Sequence, residues 1–350
     1  MKKLIYILVI LSVFGLADFE IKGDGSPADL TKIGISARFW GMGRSGVALS
    51  DDSGALLLNP AAMAMARSFE MSGMSTQVLG VTNYSLVNAV IPLWDQNQTF
   101  GFSYINENAG AIYSSEQRDQ NGHPIRGGLI QNSNTIVSLG FASKIYIPDL
   151  IDDLYLGTMF KGYSRVLGNM SSSSMAADFG ALYKWKPNIS LGVTLRNALQ
   201  SGIRYSLSPA NEVDYYDTDL VFGAAFALMN NDLTVAIDQH TNPKFGRTYL
   251  GVEYWLGKAV ALRSGLADND VTLGIGVRYD MLQVDVGLRY QDAPLDNQMF
   301  FSLTWGNARR IFLDRPGIEI VENDNRRQTQ QIEQIQPVSQ FDIPEDVRIL

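Results

Sequence analysis

The sequence predicts an all-β membrane protein: an antiparallel transmembrane β-barrel of about fourteen strands with an N-terminal hatch, or plug, in its lumen. Three observations lead there. A secretory leader opens the chain, a Gly/Ala-rich segment that fits no strand follows, and then come many short segments alternating apolar and polar residues.

The leader is read over residues 1–17. Lys2 and Lys3 precede an apolar run from Leu4 to Phe14, and the small-residue pattern Gly15-Leu16-Ala17 follows. This is the order of a Sec-type signal peptide cleaved after Ala17; the run falls short of the roughly 20 residues a helical span needs. Cysteine is absent, which excludes a lipid-modified cysteine, disulfides and thiolate chemistry. No other segment approaches a transmembrane helix, so a crossing has to be made with strands. The mean hydropathy of -0.02, the 32 glycines and the 10% aromatic content suit a wall whose alternate residues face lipid. A net charge of -8 argues against a nucleic-acid partner. The expected location is the outer membrane of a diderm bacterium.

Residues 18–67 form the predicted hatch. Gly41, Gly43 and Gly46 match the spacing GxGxxG, but the buried strand, long helix and βαβ unit of a dinucleotide site are missing around them. These glycines are expected to permit close backbone approach or tight turns. Asp51-Asp52-Ser53 reads as the start of a helix through Ala55 to Leu58.

The barrel is predicted over 68–306. Strands are expected to start near Ser68, Thr82, Gln98, Thr135, Asp153, Ser174, Ile189, Thr218, Asp232, Arg247, Ala259, Val271, Gln283 and Gln298. In Val271 to Tyr279, for example, Val271, Leu273, Ile275, Val277 and Tyr279 share one face and Thr272, Gly274, Gly276 and Arg278 the other. Every second connection is short turn chemistry, as in Lys186-Pro187-Asn188 and Gly257-Lys258. The long insertions, Glu107 to Asn134 and Leu199 to Asp217, fall at the opposite end. Short periplasmic turns and long external loops are the bacterial pattern.

Asp178, Lys184, Arg196, Asp238, Glu253, Arg263, Arg278, Asp285 and Arg289 fall on the inward-facing rows. Two readings follow: a structural polar network whose charges offset one another, or a polar site that engages a ligand head group. No cofactor is expected. Asp268-Asn269-Asp270 is too small a set for a Ca²⁺ cage. The two histidines, His123 and His240, give no acid–base–nucleophile set, although Asp238 and His240 share one strand face. The chain is read as a non-enzyme. Residues 307–350 are polar and charged and are read as a periplasmic tail, either solvated or docking a periplasmic partner.

The run Ala37-Arg38, Gly41-Met42-Gly43, Gly46, Ala48, Asp51-Asp52, Ala55 and Asn59-Pro60-Ala61 resembles the N-terminal signature of the PorV/PorQ group of outer-membrane proteins, similar in fold to the FadL long-chain fatty-acid transporters. Asp178 to Tyr183, Leu191-Gly192-Val193 with Arg196-Asn197, Gly251 to Trp255 and Leu262 to Gly265 extend the resemblance. The resemblance implies a fourteen-stranded barrel whose hatch carries Asn59, Pro60 and Ala61. It implies two functions: passage of a hydrophobic small molecule, or a PorV-like part in type IX protein secretion or surface assembly, with a secreted protein as partner.

Overall fold

The computed structural model describes residues 29–306 except 34, 50–51, 79–81, 94–96, 111, 116, 148–150, 208–212, 243–247, 268 and 291–296. The expected signal peptide and the tail lie outside the described residues.

Fourteen antiparallel strands close into a barrel. They are β1 (Glu70–Val78), β2 (Thr82–Pro92), β3 (Gln98–Ala109), β4 (Asn132–Ile147), β5 (Ile151–Leu167), β6 (Met170–Lys186) and β7 (Ile189–Gln200). There follow β8 (Asp219–Leu228), β9 (Leu233–His240), β10 (Thr248–Leu256), β11 (Val260–Ala267), β12 (Asp270–Tyr279), β13 (Leu282–Arg289) and β14 (Gln298–Gly306). Each pairs with its sequence neighbours, and β14 returns to β1 with Glu70 opposite Gly306 and Thr76 opposite Phe300. Closure leaves no edge, the condition for strands in hydrocarbon. Of the strand starts expected from sequence, the furthest displaced is that of β6, expected at Ser174 and observed at Met170.

Period-two alternation fixes which residues face lipid. Along β10, Tyr249, Gly251, Glu253 and Trp255 are buried while Leu250, Val252, Tyr254 and Leu256 are exposed. The exposed row is mainly apolar along the barrel wall, as in Leu273, Ile275 and Val277 of β12. At the short-turn end it becomes aromatic, with Phe69, Phe100, Phe141, Trp185, Tyr279 and Trp305, the arrangement of an interfacial girdle. Short turns there rest on left-handed residues, Asn230 and Asn231 between β8 and β9 and Gly257 and Lys258 between β10 and β11.

At the other end β4, β5 and β6 run for 16, 17 and 17 residues, beyond the roughly 9–11 needed to cross. The β3–β4 connection continues as a hairpin in which Ile112–Tyr113 pairs with Leu129–Ile130 and Gln117–Arg118 with Pro124–Ile125. Asp119 closes its tip, its carboxylate accepting from the backbone N–H groups of Asn121 and His123 at 2.9 and 2.8 Å.

Two predictions follow from this wall. Val252→Arg, in the middle of a lipid-facing row, is expected to cost about 2–4 kcal/mol, read from the denaturant midpoint of the protein refolded in vesicles. The hairpin tip should respond to acid. The His123 N–H holds the Asp119 carboxyl below its ordinary value of 3.8, so its contribution is complete above that value and lost as pH falls through the lower folded one. The amide protection factors of Asn121 and His123, corrected for the intrinsic pH dependence of exchange, should fall below about pH 4 and hold constant above about pH 5.

Candidate functional site: the hatch in the lumen

The lumen is filled by the N-terminal segment. It runs through a 3₁₀ turn at Leu30–Lys32, a short α-helix at Ala37–Gly41 (α1), and 3₁₀ turns at Ser53–Leu57 and Pro60–Met65. The sequence places these turns through their caps. The Asp52 carboxylate accepts from Gly54 N–H at 2.8 Å, and Asn59 Oδ1 accepts from Ala61 N–H at 3.0 Å ahead of Pro60. Phe39, Trp40, Met42, Leu49, Leu56 and Leu58 are buried. Trp40 stacks on Phe300 of β14 with centroids 4.2 Å apart.

Glycine decides how closely this segment meets the wall. Five cross-strand pairs of inward-facing glycines line the lumen: Gly101 with Gly140, Gly157 with Gly180, Gly192 with Gly223, Gly251 with Gly265, and Gly274 with Gly287. A Cβ on Gly251 or Gly265 would collide with the Met42–Gly43 backbone, and one on Gly157 with Pro60 and Ala61. A Cβ on Gly274 would lie 2.9 Å from the Gly41 Cα. Gly43 has φ +61°, and Gly46 packs against Phe39 and Leu58. The sequence contains this belt as individual glycines in ten of the strands, but the pairing appears only once register is known.

Three polar anchors hold the hatch. The first is a chain of buried charges. Arg38 of α1 is bidentate on Glu253 of β10 at 2.8 and 2.9 Å and also bonds Asp52 at 2.9 Å. Arg263 bonds Glu253 at 2.7 Å and Asp285 at 2.9 Å; Gln283 bridges Asp285 to Arg278. The second is Asp238, whose carboxylate accepts from Gly46 and Val47 N–H at 2.7 and 3.0 Å. Nearby, Asn59 Nδ2 donates to Val47 C=O at 2.8 Å and to Ala181 C=O of β6 at 3.1 Å, while Arg196 donates to Leu58 C=O at 3.4 Å.

The third anchor lies at a break in the wall. Between β6 and β7 the register jumps, Ala177 opposing Leu199 but Phe179 opposing Leu195, so two extra residues of β7 bulge out opposite Asp178. Asn197, with φ 51°, occupies the bulge. Its N–H donates to Asp178 at 2.7 Å and its amide nitrogen to Asp29 of the hatch at 2.9 Å. Lys161 of β5, wholly buried, donates to the Asn197 amide oxygen at 2.6 Å and pairs with Asp178 at 2.7 Å.

The nine inward charges of the sequence are thus distributed rather than joined in one cluster. Glu253, Arg263, Asp285 and Arg278 are connected, Asp178 belongs to the bulge, and Asp238 and Arg196 hold hatch backbone. Arg289 pairs with Asp270 at 2.5 Å at the rim, and Lys184 is half-buried toward the short-turn end. Asp238 and His240 share a face but serve different partners: Asp238 holds hatch backbone, and His240 bonds Asp219 at 2.6 Å. Asp268 lies outside the described residues, and no cluster of three metal-ligating side chains occurs among the described residues. Arg38, Lys161 and Asn197 carry much of the anchoring and were not singled out as site residues. Arg38 and Asn197 stand only inside the family-like runs, and Lys161 lies in β5, where both rows carry apolar residues.

Neither a protein-family model nor a curated relative matches the sequence. Solved structures do match the fold. The monoaromatic hydrocarbon channel TodX in a deltaS2S3 form is 14% identical with a TM-score of 0.50, over 79% of this chain and 99% of that one. The Ralstonia pickettii toluene transporter TbuX is 12% identical with a TM-score of 0.50, over 78% and 97%. The likeness is one of fold, that of a closed antiparallel outer-membrane barrel.

Arg38→Ala would leave Glu253 buried without its bidentate partner, and a loss of about 3–5 kcal/mol is expected in the unfolding midpoint. Adding Glu253→Gln should recover part of it. Gly251→Val should keep the barrel closed yet unseat the hatch, seen as faster proteolysis within residues 35–49.

Proposed function

We propose that this protein passes a hydrophobic small molecule across the outer membrane without an energy source, and that its hatch and the β6–β7 bulge form the route. The observation that carries this reading is the adjacency of the two. Asn59 and Pro60 press on Gly180 of β6, two residues from Asp178, where the ladder is interrupted. The lipid-facing side of that interruption is apolar and exposed, with Met175, Phe179 and Leu199. A ladder break there gives an apolar molecule a way sideways into hydrocarbon, avoiding a fully aqueous path. The shared fold with a hydrocarbon channel and a toluene transporter supports the class of molecule. Asn59→Ala with Pro60→Ala should change toluene uptake into cells while the barrel remains folded. Deleting Asn197 and Ala198, which restores continuous pairing, should abolish it. Uptake unchanged by both would count against the proposal.

A second reading, a PorV-like role in secretion or surface assembly, is favoured by the outer hairpin, which exposes Ile112, Tyr113, Ile125 and Leu129. Deleting 112–130 should then remove a co-purifying protein and leave toluene uptake intact. Non-enzymatic action is part of both readings.

A further inference from the structure

The wall formed by β2 to β5 carries a feature that an apolar route does not use. Asn88 of β2, Ser103 of β3, Ser138 of β4 and Lys161 of β5 are successive cross-strand partners, so their inward side chains form one continuous row. Their exposures are 0, 0, 1 and 1%. Lys161 is paired as described, but the others are not. Both polar atoms of the Asn88 amide, the Ser103 and Ser138 hydroxyls and the neighbouring Thr99 hydroxyl have no hydrogen-bond partner among the described residues. Buried groups of this kind are normally paired, and leaving several side by side is unfavourable. A dry seal would be better made from Ala or Val.

One hatch side chain packs beside this row. Gly101 and Gly140 oppose each other one position toward the short-turn end from Ser103 and Ser138 on the inward face, and the dimple they leave is occupied by Met63 of the hatch. A Cβ on Gly140 would lie 2.6 Å from the Met63 Cε. Methionine is flexible, and its thioether sulfur is only a weak acceptor, so it packs beside the hydroxyls without satisfying them.

The row also has two ends. Toward the short-turn end, Asn88 opposes Ser72 of β1, which opposes Thr304 of β14. Toward the other end, Ile136 and Tyr163, the next inward residues beyond Ser138 and Lys161, line a cavity of about 170 Å³. That cavity is walled mainly by polar groups, among them Asn134, Ser164, Arg165, Ser172 and Ser173. The hatch is tied to the opposite wall through Arg38 and Asp238, so Met63 can rotate with the hatch still seated.

We propose that this row is a second route, for water and small uncharged hydrophilic solutes, with Met63 as its gate. The charge of Lys161 is offset by Asp178, so the lining favours neutral solutes. The route is separate from the β6–β7 bulge and stands or falls independently of the apolar one.

The test is swelling of vesicles that contain the full chain, with glycerol and arabinose as probes. Met63→Ala should raise the swelling rate several-fold, and Met63→Leu should leave it at the wild-type level. Ser103→Val with Ser138→Val, added to Met63→Ala, should return the rate to baseline. Swelling of the Met63→Ala vesicles at the wild-type rate overturns the proposal, as does a raised rate that persists with both valines present. Heat-modifiable gel mobility checks each variant for a folded barrel; if Met63→Ala fails that check, Met63→Ser is read by the same criteria.

Discussion

Backbone-to-backbone contact between hatch and wall is the constraint on which the rest of this structure depends. A barrel of this size would leave an open lumen if nothing filled it, and the filling segment here is irregular chain with short helical turns. Such a segment is tolerated at membrane depth only where it is enclosed and its polar groups are satisfied. The five glycine pairs remove the side chains that would hold it away. The remaining inward residues then reach its carbonyls and amides: Asp238 takes two N–H groups, Asn59 spans hatch and strand, and Arg196 reaches Leu58.

The anchors are unevenly placed. The β10–β13 side is joined to α1 by buried charges in a continuous chain, an arrangement that is costly to break from one side only. The β6–β7 side is joined through a bulge, where strand pairing is locally absent. The β2–β4 side is joined through the Tyr84 hydroxyl, which donates to Leu30 C=O at 3.1 Å, and through Met63 packed against Gly101 and Gly140. A hatch held firmly on one wall and lightly on another is suited to partial movement, since local stability need not match the stability of the whole.

The sequence made the strands readable because lipid imposes a strict alternation, clearest where one row is uniformly apolar, as in Val271 to Tyr279. It made Lys161 hard to see because β5 has apolar residues on both faces, with Tyr155, Met159 and Tyr163 inward and Leu156 and Phe160 outward. In such a strand the contrast between rows is weak. The partnership of Arg38 with Glu253 joins residues 215 apart, and no local pattern carries that information. The glycine belt was present as residues but not as pairs, since pairing depends on the register that turn lengths set. The two extra residues at Asn197 are likewise invisible until both neighbours of β7 are known.

The hatch touches both strands of the closing seam. Ser53 meets β1 through the Glu70 carboxylate and the Ser72 hydroxyl, while Ala37 N–H donates to Ser302 of β14 and Trp40 stacks on Phe300 of the same strand. The hatch thus bridges the two strands that stand at opposite ends of the barrel sequence and must meet for the cylinder to close, so mutations at these contacts should loosen the seam as well as alter permeation.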